Sequence, residues 1–208
     1  MQGSDYESVR ELAIVCKAST TFSVTAFYCD LALKTTGMPK DKVMGMGGLL
    51  DSRFKSFVRE RTHISSESIH AMVIIEHGEN MLPLIRFSCI GGIPLNYFIT
   101  DDIQSGIFEN TRKAGADLIA SKGATVYAPG NAVATMVEAI LKDRKSLNPV
   151  SAPLDGEYGA NNICIGAPVI LGEKGIERII ELKLNSLELE IFQRGIKSVS
   201  EAIKAIIP

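Results

Sequence analysis

Apolar and polar positions repeat along this chain with two different periods, and the switches between them mark its elements. Residues 12–16, LAIVC, form an unbroken apolar run of the length a buried strand needs. Helical spacing follows from Ser23 to Lys34, and Gly37 with Pro39 just beyond it is a helix stop. KVMGMGG (42–48) reads as a strand entering a tight glycine turn. Leu49 to Glu60 is predicted as a helix with Leu50, Phe54 and Phe57 on one face. After the polar linker SSES, strands are predicted at 70–76 and 83–89, separated by a turn at His77; CIGGIPL is a further turn. Thr100, Asp101 and Asp102 form a capped, acidic helix start, and that helix runs to about Ser121. Pro129 opens the next helix, which is predicted to reach Lys145. Strand patterns at 148–154, 162–171 and 176–183 are joined by turns at LDGEYGANN and LGEKG. A last helix spans 186–206, with Leu187, Leu189, Ile191, Ile196, Val199, Ile203 and Ile206 apolar. Helices, hairpin, helices, then an antiparallel meander and a terminal helix is the order of an α+β fold, with antiparallel sheet segments packed on long helices, rather than a doubly wound parallel sheet.

Composition narrows the function classes. With 46% apolar and 22% charged residues in 208, the chain can bury a real core. Its net charge of −2 and lack of a basic block argue against nucleic acid, whose phosphates need clustered Lys and Arg. Cys16, Cys29, Cys89 and Cys164 form no CxxC pair and sit in apolar runs, so buried, reduced thiols are expected and a zinc ribbon is not. The N-terminal residues carry Asp5, Glu7 and Glu11 with no long apolar core, and no window approaches the ~18 apolar residues of a membrane span. A cytoplasmic protein is expected.

Chemistry concentrates in few places. VIIEHGENMLP puts His77, one of 3 histidines, between a carboxylate and a glycine at the end of an apolar run. An imidazole there can move protons near neutral pH; it can equally be a turn residue bonded to backbone. His63 and His70 share its heptad spacing, but strand, turn and helix-end residues do not converge readily on a metal. LLDSRFKSFVRER brings Asp51, which could orient a histidine, and Arg53, which could grip a carboxylate, to a helix start; a solvated helix start explains the same residues. No GxGxxG or GxxxxGK[ST] motif is present, and Gly45, Gly47 and Gly48 do not open a strand–helix–strand unit.

Taken together, GMPKDKVMGMGGLLDSRFKSF, IEHGENMLPLIRFSCIGGIPL, TRKAGADLIASKGATVYAPGNAV, MVEAILKD and LDGEYG…IGAPVILGEKGIERIIEL resemble NAD-dependent malate dehydrogenases of the lactate/malate dehydrogenase superfamily, from about residue 12 to the end. The resemblance implies the α+β catalytic half: residues 1–22 as the last strand of a nucleotide-binding domain, and residues 23–208 as the substrate domain. It implies His77 as the proton-transferring group, Asp51 as its carboxylate partner and Arg53 as the substrate-carboxylate arginine. Thr125 falls at a further substrate-contact position, and Ser23 where the family has an asparagine. NAD is the implied cofactor and a small 2-hydroxy acid, malate rather than lactate, the implied substrate. The expected partner is a second copy of the chain or a separate nucleotide-binding half, without which cofactor binding and activity are not expected. The other reading is a non-catalytic oligomerisation or interaction protein that retains the fold.

Three departures from the family's pattern sharpen these expectations. Asp51-Ser52-Arg53 is one residue shorter than the family's Asp-Ser-Ala-Arg. At about 100° per residue, positions two apart lie on opposite helix faces, so Asp51 and Arg53 face one pocket only if the helix is kinked. Ser23-Val24 replaces Asn-Pro. Ile75 replaces a glycine, and a β-branched residue resists positive φ. The LAIVC strand is expected to have an exposed edge or to pair with another chain, and a strictly monomeric state is not expected.

Overall fold

The computed structural model describes residues 13–15, 24–76, 80–122 and 127–206. In chain order its elements are β1 (Ala13–Val15), α1 (Val24–Thr36), β2 (Val43–Gly45), α2 (Leu49–Thr62), β3 (Ile69–His70), β4 (Val73–Ile74), β5 (Leu82–Pro83), β6 (Cys89–Ile90), β7 (Ile93–Pro94), α3 (Asp101–Lys122), α4 (Tyr127–Leu141), β8 (Ser146–Asp155), β9 (Asn161–Gly172), β10 (Gly175–Ile179) and α5 (Ser186–Ile206). The main sheet has the order β1-β2-β8-β9-β10, parallel between β1 and β2 and antiparallel elsewhere. The α+β expectation holds. Among the described residues β1 pairs with β2 alone, and no described strand lies on its other edge.

The β8–β9 hairpin is the centre because its apolar positions are covered along their whole length. Ile163, Ile165 and Ala167 pack with Phe192, Val199 and Ile203 of α5. Further along, Val169 and Leu171 meet Met136, Ala139 and Ile140 of α4. Cys164 clusters with Cys29 of α1 and Val43 of β2. Cys29 and Cys164 are buried free thiols, whereas Cys89 is only half-buried, and Cys16 lies outside the described residues.

Several boundaries differ from the sequence expectation, each for a local reason. The two strands at 70–76 and 83–89 are fragments: β3 pairs with β6 and β4 with β5, with a 3-10 turn at Ile85–Phe87 between β5 and β6. Buried Ser88 takes over the ladder there, its Oγ accepting from Met72 N at 3.2 Å and donating to Leu84 O at 2.8 Å. Helix α4 ends at Leu141, short of Lys145, because Asp143 and Lys145 adopt φ of 45° and 50°. Their ion pair at 2.7 Å, and that of Lys145 with Glu177, hold this corner. On α2 it is Val58, not Phe57, that completes the buried stripe with Leu50 and Phe54. On α5 the buried stripe runs through Phe192, Val199 and Ile203, while Leu187 and Leu189 are exposed.

Helix α5 starts with a reciprocal cap. Asn185 Oδ1 accepts from Glu188 N at 2.9 Å, and Glu188 Oε2 accepts from Asn185 N at 2.8 Å. Arg86 grips the same carboxylate, Nε to Oε1 at 3.1 Å and Nη2 to Oε2 at 2.6 Å. Hydrogen bonding by Arg86 holds the Glu188 carboxyl below its ordinary value of 4.5. A depressed carboxyl contributes stability above that value and loses it as pH falls through the folded-state value. Glu188→Ala is therefore expected to cost about 1–2 kcal/mol at neutral pH, measured by urea denaturation, with the difference from the parent chain shrinking below pH 4.5.

Candidate active site

The segment before α2 is shaped by two glycines. At Gly47 the carbonyl of Pro149 comes so close that a Cβ would overlap it, and Gly48 takes φ 78° to turn the chain into the helix. That turn fixes where Asp51 and Arg53 point. Asp51 Oδ1 accepts a hydrogen bond from Val73 N of β4 at 2.7 Å. Burial pushes its carboxyl up to about 7, against the lowering effects of the Val73 N–H and of Lys55. Asp51 keeps a little surface at one place, a cleft of about 390 Å³ that it lines with Lys55, His70, Asn131, Thr135 and Asn148.

Arg53 does not line this cleft. Its half-buried guanidinium lies against the backbone of α3, where a Cβ on Gly115 would be 2.9 Å from Nη1 and 3.3 Å from Nη2. Burial without a counter-charge lowers its pKa. Among the described residues no carboxylate pairs with it. Helix α2 runs unbroken from Leu49, with Ser52 N bonded to Gly48 O at 3.1 Å, so no kink brings Asp51 and Arg53 to one side. The helical geometry expected from their spacing holds: Asp51 serves β4, and Arg53 faces α3.

Strand β4 leads through Ile75 and Glu76 toward His77. His77, Ser23 and Thr125 lie outside the described residues. The residues around that segment are firmly held. Asn80 Nδ2 donates to buried Glu76 Oε1 at 2.6 Å, joining the residues on either side of 77–79. Ile75 exchanges two backbone hydrogen bonds with Gly166 of β9, at 2.9 and 2.7 Å. Contrary to the expectation for a β-branched residue, Ile75 takes φ 81°. Its side chain is 2% exposed and seats on Gly195 of α5, where a Cβ would overlap its Cγ2. Left-handed strain costs about 1–3 kcal/mol, whereas deleting a buried branched aliphatic costs about 2–5 kcal/mol. The packing wins, so Ile75→Gly is expected to lower stability by roughly 1–3 kcal/mol in spite of relieving the backbone, as a denaturant midpoint would show.

His63 is the exposed C-cap of α2, and His70 lies on β3 at the cleft that Asp51 lines. Among the described residues no group of three or more His, Cys, Asp or Glu is placed to hold a metal, and no helix is long and apolar enough to cross a membrane. Sequence reasoning missed Gly115, Gly166, Gly195 and the Glu76–Asn80 bond. Each is a tertiary close approach without a local pattern; the one available signal was Ile75 standing where the family has glycine.

The arrangement can therefore offer an unpaired guanidinium to an anion, and a carboxyl near its titration midpoint at neutral pH. Residues 49–207 match the family model for the lactate/malate dehydrogenase, alpha/beta C-terminal domain. The malate dehydrogenase of Desulforudis audaxviator is 42% identical over 181 residues, covering 86% of this chain and 59% of that enzyme. That of Halalkalibacterium halodurans is 43% identical over 176 residues, covering 83% and 56%. Among solved structures, the malate dehydrogenase from Aeropyrum pernix superposes with a TM-score of 0.88 at 31% identity, covering 94% of this chain and 64% of that one. The lactate dehydrogenase from Eimeria maxima with NADH and oxamate gives 0.85 at 37% identity, covering 93% and 61%. The chain spans less than three-fifths of the length of these curated relatives.

Proposed function

The chain belongs to the lactate/malate dehydrogenase family through its alpha/beta C-terminal domain, and on that premise we propose that it supplies the substrate side of an NAD-dependent oxidoreductase site, interconverting a 2-hydroxy and a 2-oxo dicarboxylate of the malate and oxaloacetate type. The observation that carries this reading is Arg53. A half-buried guanidinium held by packing on Gly115, with no acid beside it among the described residues, has its N–H fork available for a substrate carboxylate. By the family resemblance, His77 takes or returns the alcohol proton, and Thr125 and Ser23 stand at substrate-contact positions of the motif. Asp51 acts on His77 at one remove, through its grip on β4.

The chain carries no GxGxxG motif, and at the glycine-rich start of α2 the Pro149 carbonyl abuts Gly47 beside the cleft that Asp51 lines. The dinucleotide, whose chemistry is to take or give the hydride, is accordingly assigned to a nucleotide-binding half. The edge of β1 that no described strand covers, together with exposed Tyr97, Tyr127 and Leu187, offers surface for that half or for a second copy of the chain. We place the protein in a reducing, cytoplasmic setting because Cys29, Cys89 and Cys164 are free thiols.

Calorimetric titration with oxaloacetate tests the carrying observation directly. The chain should bind it weakly, and Arg53→Gln should reduce the affinity by at least about tenfold, since a charge-assisted bond is worth about 1.5–3 kcal/mol. Equal affinity in parent and variant would remove Arg53 from the substrate site.

A further inference from the structure

We infer that Gly115 is a positioning residue, the seat on α3 against which the Arg53 guanidinium lies and from which it grips a substrate carboxylate. The inference rests on the proposed role of Arg53 and adds a second helix, α3, to what sets that grip.

Helix α3 carries two interior glycines, Gly106 and Gly115. Neither takes a positive φ, so the backbone itself requires neither. Glycine is a poor helix former because it has the most conformational freedom to lose. At Gly106 a Cβ would meet nothing within 4 Å. At Gly115 the three atoms nearest to a Cβ all belong to one guanidinium: Arg53 Nη1 at 2.9 Å, Nη2 at 3.3 Å and Cζ at 3.4 Å. Both terminal nitrogens and the carbon between them therefore lie over this position. Gly115 also continues the i, i+4 row of buried Ile107 and Thr111, so it belongs to the inner face of α3. Helix α2 delivers Arg53 to that face because Asp51, two residues earlier, is tied to Val73 N on the other side.

The seat matters because a guanidinium is a planar fork. It binds a carboxylate through two parallel N–H···O bonds, so the direction of its plane counts as much as its distance. Burial against α3 strips the Arg53 cation of part of its water. A methyl group at position 115 would stand closer to Nη1 than ordinary van der Waals contact allows. The end of an arginine is flexible, so the guanidinium should yield and the helix should not. An alanine there is thus expected to favour the helix and to misdirect the fork. These opposite signs separate a positioning role from a structural one.

The test combines arginine side-chain NMR of the full chain with calorimetric titration of oxaloacetate. The parent is compared with Gly115→Ala, Gly106→Ala, Arg53→Gln and the double variant Arg53→Gln/Gly115→Ala. The Nε–Hε resonance lost in Arg53→Gln assigns the Arg53 signal. That signal should move in Gly115→Ala and stay in place in Gly106→Ala. Oxaloacetate affinity should fall about three- to tenfold in Gly115→Ala, a part of what a charge-assisted pair contributes, and should be unchanged in Gly106→Ala. The urea midpoints of both alanine variants should equal or exceed the parent's. In the double variant the alanine should add nothing to the loss in Arg53→Gln, because the seat then holds no guanidinium. An unmoved Arg53 signal in Gly115→Ala overturns the inference. So does parent-like affinity in Gly115→Ala where Arg53→Gln binds weakly. A clearly lowered urea midpoint in Gly115→Ala would assign the glycine to helix packing and overturn it too. Equal affinity in parent and Arg53→Gln would instead remove the reading of Arg53, and the inference with it.

Discussion

With a nucleotide-binding half supplied, His77→Ala should lower oxaloacetate turnover by about 10²–10⁴-fold, the usual contribution of a positioned acid–base group. The loss should appear in kcat, because on the proposed reading the substrate carboxylate is held by Arg53 and not by the imidazole. Arg53→Gln should show the complementary pattern, with its effect concentrated in KM. The separation follows from the proposed roles, carboxylate binding for Arg53 and proton transfer for His77. Steady-state kinetics of the two variants checks it. Equal losses of kcat in both would mean that the two groups act as one unit.

Asp51→Asn should make the chain more stable, and by an amount that depends on pH. Burial lifts the Asp51 carboxyl from 3.8 to about 7. An acid whose folded pKa is raised binds more protons folded than unfolded between those two values. Stability therefore falls as pH rises through that window and stays low above it. At about 1.4 kcal/mol per unit, the full cost would be about 4 kcal/mol. Asp51 keeps some surface at its cleft, so about 2 kcal/mol is the expected gain for Asp51→Asn above neutral pH, with almost none near pH 4. An asparagine oxygen can still accept from Val73 N, so this substitution isolates the charge. Denaturant unfolding at acid and alkaline pH measures it; a gain that is the same at both would assign the effect to packing. The accompanying expectation is lower activity, since a destabilising buried carboxyl next to β4 is retained at a cost.

How far the sequence could be read depends on the range of the interaction. The long hairpin β8–β9 and helix α5 follow from local period, and their spans came close to those expected. The faces of Asp51 and Arg53 followed from residue rotation alone. The broken hairpin β3–β6 did not, because Ser88 replaces ladder hydrogen bonds with its side chain, a substitution that alternating hydrophobicity does not encode. Phe192 is covered while Leu187 and Leu189 are exposed; all three are apolar, and the position of β9 decides which are covered. Ile75 shows a local rule overridden. Its side chain disfavours φ 81°, yet two glycines far away in sequence, Gly166 and Gly195, make that conformation the one that packs. The site residues Ser23, Asp51, Arg53, His77 and Thr125 rest on motif; of these the structure describes Asp51 and Arg53, and it turns them to different sides of α2.

We propose that these residues are the substrate side of a hydride-transfer site that a nucleotide-binding half completes. This is tested most directly by following NADH oxidation with oxaloacetate after mixing the chain with such a half, both shown to be folded and associated. Oxidation that requires both components and oxaloacetate, and that neither component supports alone, is the predicted result. A folded, associated pair that leaves NADH untouched contradicts it.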